Sequence, residues 1–266
     1  MPEAVETNPT DQATPAPPDR VETRRRTWTI RRTIAWSALV LAVVAVAGSL
    51  ALWVLSPSAS DLQGRVDAQA ALHGVPRLQP GEVPPLLAEA IVATEDERFY
   101  EHHGIDVIGL GRAFLYDVTH LCGCQGGSTI TQQLVKDLYL NGSDSGVMKL
   151  VDIALAFKVE LQYSKQQILA DYLSEVLAGD GVYGMPAAAC ADFGRPLAAL
   201  DLGQIALLAG MPQAPSAYDP RFHAIAAATR RTEVLASMVS EGFVTPQEAA
   251  RAATEPVVVH SPSGRC

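Results

Sequence analysis

One uninterrupted apolar run stands near the start of the chain; beyond it, apolar residues return every three or four positions. The run, residues 34–55, holds 22 residues without a charge, enough as a helix to cross a hydrocarbon core of about 30 Å. It is apolar on every face, unlike a helix packed on one side of a soluble core. Trp36 and Trp53 stand near its two ends, where indole rings favour the headgroup level. The run follows a polar stretch and is too long for a cleaved signal, so it reads as an uncleaved single-pass anchor.

Past the anchor the helical period dominates. Pro84 and Pro85 open a predicted helix in which Leu86, Leu87, Ala90 and Ile91 share a face. Further helices are predicted over residues 106–118, 129–140, 148–162, 165–177, 201–210 and 224–240. The one at 129 begins with Thr129 and Gln132 in capping-box spacing and ends at Asn141-Gly142. Alternating strand patterns are nearly absent, so the fold class is mainly α. The expected organisation is a disordered tail (1–33), a transmembrane helix (34–55), a linker (56–80), a helical domain (81–255) and a C-terminal tail (256–266).

Composition sharpens this picture. Apolar residues make up 48% of the 266 and charged ones only 18%, below the roughly 25% usual for soluble domains. The apolar run accounts for part of that deficit. Arg24, Arg25, Arg26, Arg31 and Arg32 precede the run and no basic residue directly follows it, which predicts a cytoplasmic N-terminus and an extracytoplasmic domain. Net charge is −9, divided as +1 over residues 1–32 and −10 over the external part. A nucleic-acid partner is disfavoured by that balance. An anionic ligand would depend on a few local cations or helix ends.

Two stretches could carry chemistry. Glu95, Asp96 and Glu97 close an apolar helix and are followed by Phe99, His102 and His103. An acidic triplet at a helix end is usually a solvated face. Here Glu95 continues the face that holds Ile91, and a carboxylate in apolar surroundings has a raised pKa suited to accepting a proton near neutrality. The second stretch, Gly126-Gly127-Ser128-Thr129-Ile130-Thr131-Gln132-Gln133, leads glycines into a helix start, where backbone N–H groups and the dipole favour an anion. Lys136 follows in that helix. The bland alternative is an ordinary capped helix.

These residues resemble the peptidoglycan glycosyltransferase family, also called transglycosylases or glycosyltransferase family 51, in its monofunctional type without a transpeptidase domain. The first family motif stands here as Glu95, Asp96, Phe99, His102 and Gly104, and the second as Gly126 through Gln133 with Lys136. Lys165, Ile168-Leu169, Tyr172-Leu173, residues 179–184, Phe193-Gly194, residues 210–215, Arg230-Arg231 and Val234-Leu235 match in order. The resemblance implies a lysozyme-like α fold that polymerises lipid II into glycan strands with inversion and release of undecaprenyl pyrophosphate. It implies Glu95 as general base and Asp152 as a second catalytic carboxylate. Asp96, Phe99, His102, Ser128, Thr129, Gln132, Gln133, Lys136, Lys149, Arg230 and Arg231 are the implied substrate-binding residues, with His102 expected to support the Glu95 segment. Lys136 is the first choice for the pyrophosphate contact. Partners are lipid II, the growing strand, the membrane and cell-wall synthesis proteins. No protein-bound metal or firm cofactor is expected; a divalent cation such as Mg²⁺ would come with the substrate's diphosphate.

The third family motif, Arg-Lys-x-x-Glu, reads Met148-Lys149-Leu150-Val151-Asp152. A fixed bidentate cation is replaced by methionine, and the carboxylate is one methylene shorter. This keeps open a second reading, a relative that binds lipid II or a cell-wall complex without polymerising it. A glycan-cleaving enzyme of the same broad fold is the third, disfavoured by the intact second motif. The external domain holds Cys122, Cys124, Cys190 and Cys266. Their pairing stays open, with Cys190 expected as a free thiol on a buried helix face. His120-x-Cys122-x-Cys124 lacks the usual zinc-ligand spacing.

Overall fold

A computed structural model describes residues 20–120, 127–143, 145–256 and 259. Contacts divide the chain into two units, residues 1–54 and 55–266. The first is dominated by α1, Arg20–Leu55, whose segment Arg31–Leu55 is long and apolar enough to cross a membrane. Its apolar side chains, including Leu41, Val44 and Val54, are exposed. The helix already begins at Arg20, ahead of the apolar run, so residues 20–33 are helical rather than the disordered tail expected from their polarity.

The second unit is built from helices, with two isolated β-bridges and no strand among the described residues. The order is α2 (Leu62–His73), α3 (Pro85–Glu95), α4 (Val107–His120), α5 (Ile130–Leu140), α6 (Gly146–Glu160), α7 (Lys165–Glu175), α8 (Met185–Phe193), α9 (Leu202–Gly210), α10 (Ala224–Ser240) and α11 (Pro246–Thr254). The apolar α9 is buried along almost its whole length and packs against α3 and α10. A second group forms as α5 packs on α6 and α7, and α7 on α2 and α8. Capping boxes start α5, α9 and α11 at Thr129, Asp201 and Thr245, each cap contributing about 1 kcal/mol.

The expected linker over 56–80 is instead largely helix. Leu62, Val66 and Ala70 of α2 recur every four residues and are buried. Beside them Asp171 of α7, fully buried, accepts from Gln63 Nε2 at 2.7 Å and Arg77 at 2.8 Å. The helix α11 is also an addition to the sequence reading, whereas α8 is the helix expected around Cys190. Cys190 on α8 is partly buried and disulfide-bonded, its partner lying outside the described residues, which corrects the free-thiol expectation. Cys122, Cys124 and Cys266 also lie outside them.

The loops that carry residues 179–183 and 219–221 are joined through Asp219, which accepts from the Asp180 amide at 2.9 Å and pairs with Arg221. Arg221 also reaches Asp192 at 3.3 Å. Burial outweighs that cation and, with the Asp219 charge adding to it, pushes the Asp192 carboxyl up to about 7. Between about pH 4 and 7 the folded chain therefore keeps a proton that the unfolded chain has released. Stability falls as pH rises through that window. Denaturant unfolding of the detergent-solubilised protein at pH 5 and 8 should show the fall, and Asp192→Asn should flatten it. An unchanged slope in the variant would assign it to other groups.

Candidate active site

Glu95 ends α3, and the backbone leaves the helix at Asp96 with φ −161° and ψ 72°. The turn is fastened from both sides. Asp96, buried, accepts from the backbone N–H of Ile130 at 3.0 Å, an amide of the first turn of α5 that no helical carbonyl satisfies. His102 Nε2 lies 2.9 Å from the other Asp96 oxygen. Thr129 Oγ1 donates to the Gly104 carbonyl at 2.7 Å and accepts from the Gln132 amide at 3.2 Å. Gly104 has φ +85°, and a Cβ there would sit 2.9 Å from the backbone of α6 at Ala156 and Phe157; only glycine allows both. The first two sequence motifs are thus one fastened junction, in which His102 is bonded to Asp96 next to Glu95.

A cleft of about 500 Å³ opens over this junction, lined by Glu95, Asp96, Glu97, Asp106, Arg112, Ser128, Thr129, Gln213, Arg230 and neighbouring residues. Glu95 Oε2 accepts from Gln133 Nε2 at 2.8 Å. Burial raises its pKa; the Gln133 hydrogen bond opposes this first, then the charges of Arg230 and Lys136, while Asp96 adds to it. A cleft carboxyl biased upward in this way suits proton uptake from a hydroxyl.

Behind the cleft lies a polar cluster. Lys149 Nζ is 2.8 Å from Ser128 Oγ and 2.9 Å from Asp152 Oδ2, and Gln132 Nε2 donates to the same oxygen at 3.2 Å. Asp152 is buried and does not line the cleft. It holds the Lys149 ammonium toward Ser128, which does. Lys136 is half-buried on α5 and acts on Glu95 by charge, but it is not a cleft-lining side chain.

Two residues expected as substrate contacts do not line the cleft. Phe99 is fully buried, with the Lys165 ammonium 4.3 Å from its ring centroid. Arg231 is buried and donates to the carbonyls of Ala253 and Glu255 at 2.5 and 3.2 Å, satisfying the C-terminal end of α11. Arg230, one residue earlier, lines the cleft and bonds Glu233 at 3.0 Å and the Gly210 carbonyl at 3.2 Å. Arg230→Met should lower turnover about tenfold with the fold retained, whereas Arg231→Met should lower the melting midpoint and spare turnover per folded molecule. Equal kinetic losses would overturn the division.

The sequence reading missed Arg112. It stands on α4, lines the cleft and is paired with Glu97. The same helix leaves Val107, Ile108, Phe114 and Leu115 exposed. Among the described residues no three His, Cys, Asp or Glu side chains group to hold a metal.

Comparison with known proteins adds independent findings. The family described as Transglycosylase matches residues 73–239. Penicillin-binding protein 1A of Vibrio cholerae is 42% identical over 177 residues, covering 66% of this chain and 22% of that protein. Penicillin-binding protein 1A of Aquifex aeolicus is 37% identical over 209 residues, 76% of this chain and 28% of that protein. The chain thus spans less than a third of the length of these two relatives. A Cupriavidus necator protein named as a transglycosylase is 37% identical over 225 residues, 84% of this chain and 97% of its own length.

Proposed function

Because the chain belongs to the transglycosylase family, we propose that it is a membrane-anchored peptidoglycan glycosyltransferase that joins lipid II units into glycan strands. The observation that carries this reading is Glu95, a cleft carboxyl of raised pKa held by Gln133 under the charges of Arg230 and Lys136, in a cleft that Arg112 also lines. In the proposed reaction Glu95 takes the proton of the acceptor sugar's 4-hydroxyl. That oxygen bonds to the anomeric carbon of the donor, with inversion. The bond from that carbon to the diphosphate oxygen breaks, and its electron pair leaves with undecaprenyl pyrophosphate. Negative charge then grows on the leaving group, where cations contribute most. Ser128 lines the cleft just before α5, with Lys149 of α6 bonded behind it, and Arg112 lines it from α4.

A lipid-linked donor fits α4, which forms one wall of the cleft while exposing Ile108, Phe114 and Leu115. The arginines before the apolar span support a cytoplasmic N-terminus, and the Cys190 disulfide fits a domain in an oxidising compartment. The proposal assigns no metal to the protein; a divalent ion would enter with the diphosphate it neutralises. Cell-wall synthesis proteins are the proposed partners.

The test is incubation of the detergent-solubilised full chain with lipid II and analysis for glycan strands. Strands of several disaccharides are expected. Binding of lipid II without strands would favour the second reading, a non-polymerising relative. The buried position of Asp152 and the exposed Met148 beside Lys149 are the features on its side. Release of disaccharide from preformed glycan would support the cleaving enzyme instead.

A further inference from the structure

We propose that Tyr172 is a positioning residue for the glycosyl transfer: by occupying Gln133 Oε1 it keeps the Gln133 amide N–H aimed at Glu95 and holds that carboxyl ready to take a proton. The inference rests on the reading of Glu95 as base. Tyr172 lies on α7, fully buried, and its phenol donates to Gln133 Oε1 at 3.1 Å. Gln133 Nε2 donates in turn to Glu95 Oε2 at 2.8 Å. Three elements, α7, α5 and the end of α3, are thus joined in one directed chain of donors.

The direction matters because a glutamine amide has two ends. With the oxygen toward Tyr172, the nitrogen faces Glu95 and stabilises the carboxylate. Turned over, the amide would present its oxygen to Glu95, which could meet it only as the protonated acid, and its nitrogen would donate to the phenol oxygen. The phenol proton would then need another acceptor, and among the described residues Tyr172 makes no other hydrogen bond. Burial, followed by the charges of Glu95, Asp137 and Glu175, keeps the phenol protonated and therefore a donor. The first arrangement satisfies every group; the second leaves the buried phenol proton without an acceptor.

The other groups facing Glu95 are Lys136 from α5, Arg230 from α10 and Asp96 from its own turn. The packed neighbour α9, Leu202–Gly210, contains no titratable side chain. The Tyr172–Gln133 contact favours one amide orientation whatever the charge on Glu95, so its loss should appear as a pH effect rather than a general loss.

The test is the pH profile of kcat/KM with lipid II for Tyr172→Phe, a change that keeps the ring and removes the hydroxyl. The acid limb should move up by about one pH unit, a roughly tenfold loss below it, while the plateau above stays within about twofold. A profile lowered equally at every pH, or not moved, overturns the proposal. Should that variant not fold, Gln133→Leu must shift the acid limb in the same direction; an unshifted limb overturns it too. Retained polymerisation in Glu95→Gln would instead remove the base on which the inference rests. A dead Glu95→Gln with an unshifted Tyr172→Phe would sink the positioning role alone.

Discussion

Glu95→Gln should lower the rate of strand formation by about 10²–10⁴-fold, the usual worth of a positioned general base. The substitution keeps the side chain's length and polarity, so the cleft retains its shape and Gln133 retains a carbonyl to bond. What disappears is the only step the residue is asked to perform, removal of a proton from the attacking hydroxyl. The fold should not suffer. Burial raises the Glu95 pKa, so the folded protein keeps a proton through a window above the ordinary carboxylate range, and stability falls as pH rises through it. A neutral amide escapes that fall. The melting midpoint of the variant should therefore equal or exceed that of the parent at pH 8, with lipid II still bound. A loss below tenfold would remove Glu95 from the base role, and a lowered midpoint would mean that the lost activity reports unfolding.

The elements that place Glu95 are those whose signals are local. Thr129 and Gln132 are three residues apart, and Asn141 with φ +49° ends the same helix; both ends of α5 can be read without knowing its neighbours. The α2 helix was hidden because Gln63, Arg65 and Asp67 make it look like a polar connector, although Leu62, Val66 and Ala70 had the spacing of a buried stripe. Within the motifs, sequence could not separate packing from contact. Phe99 and Arg231 match the family as well as Glu95 does, yet one fills the core and the other caps α11. Arg112 was passed over for the opposite reason. On an exposed helix an arginine reads as solvated surface, and only the approach of α4 to the Glu97 turn puts it on the cleft. The Tyr172–Gln133 bond spans 39 positions, a distance at which no periodicity carries information.

Lys149→Met should cost about 10²-fold in turnover, the scale of removing one stabiliser of developing negative charge, together with some stability. The two losses have different causes. The ammonium bridges Ser128 at the cleft and Asp152 in the interior, so its removal takes charge from the leaving-group side and also takes a cation from a buried carboxylate. Deleting one partner of a buried pair costs more than replacing both, because the remaining charge stays desolvated. Adding Asp152→Asn to Lys149→Met should therefore restore much of the melting midpoint. It should restore none of the turnover, since no cation returns to Ser128. This double variant also decides what the shortened third-motif carboxylate does. If Asp152 acts only by aiming Lys149, then Asp152→Asn should cost turnover in the parent and nothing further once Lys149 is gone, a non-additive pair. Should Asp152→Asn instead multiply the defect of Lys149→Met, the carboxylate takes part in the reaction itself, and the buried position seen here is not the one it occupies with donor bound.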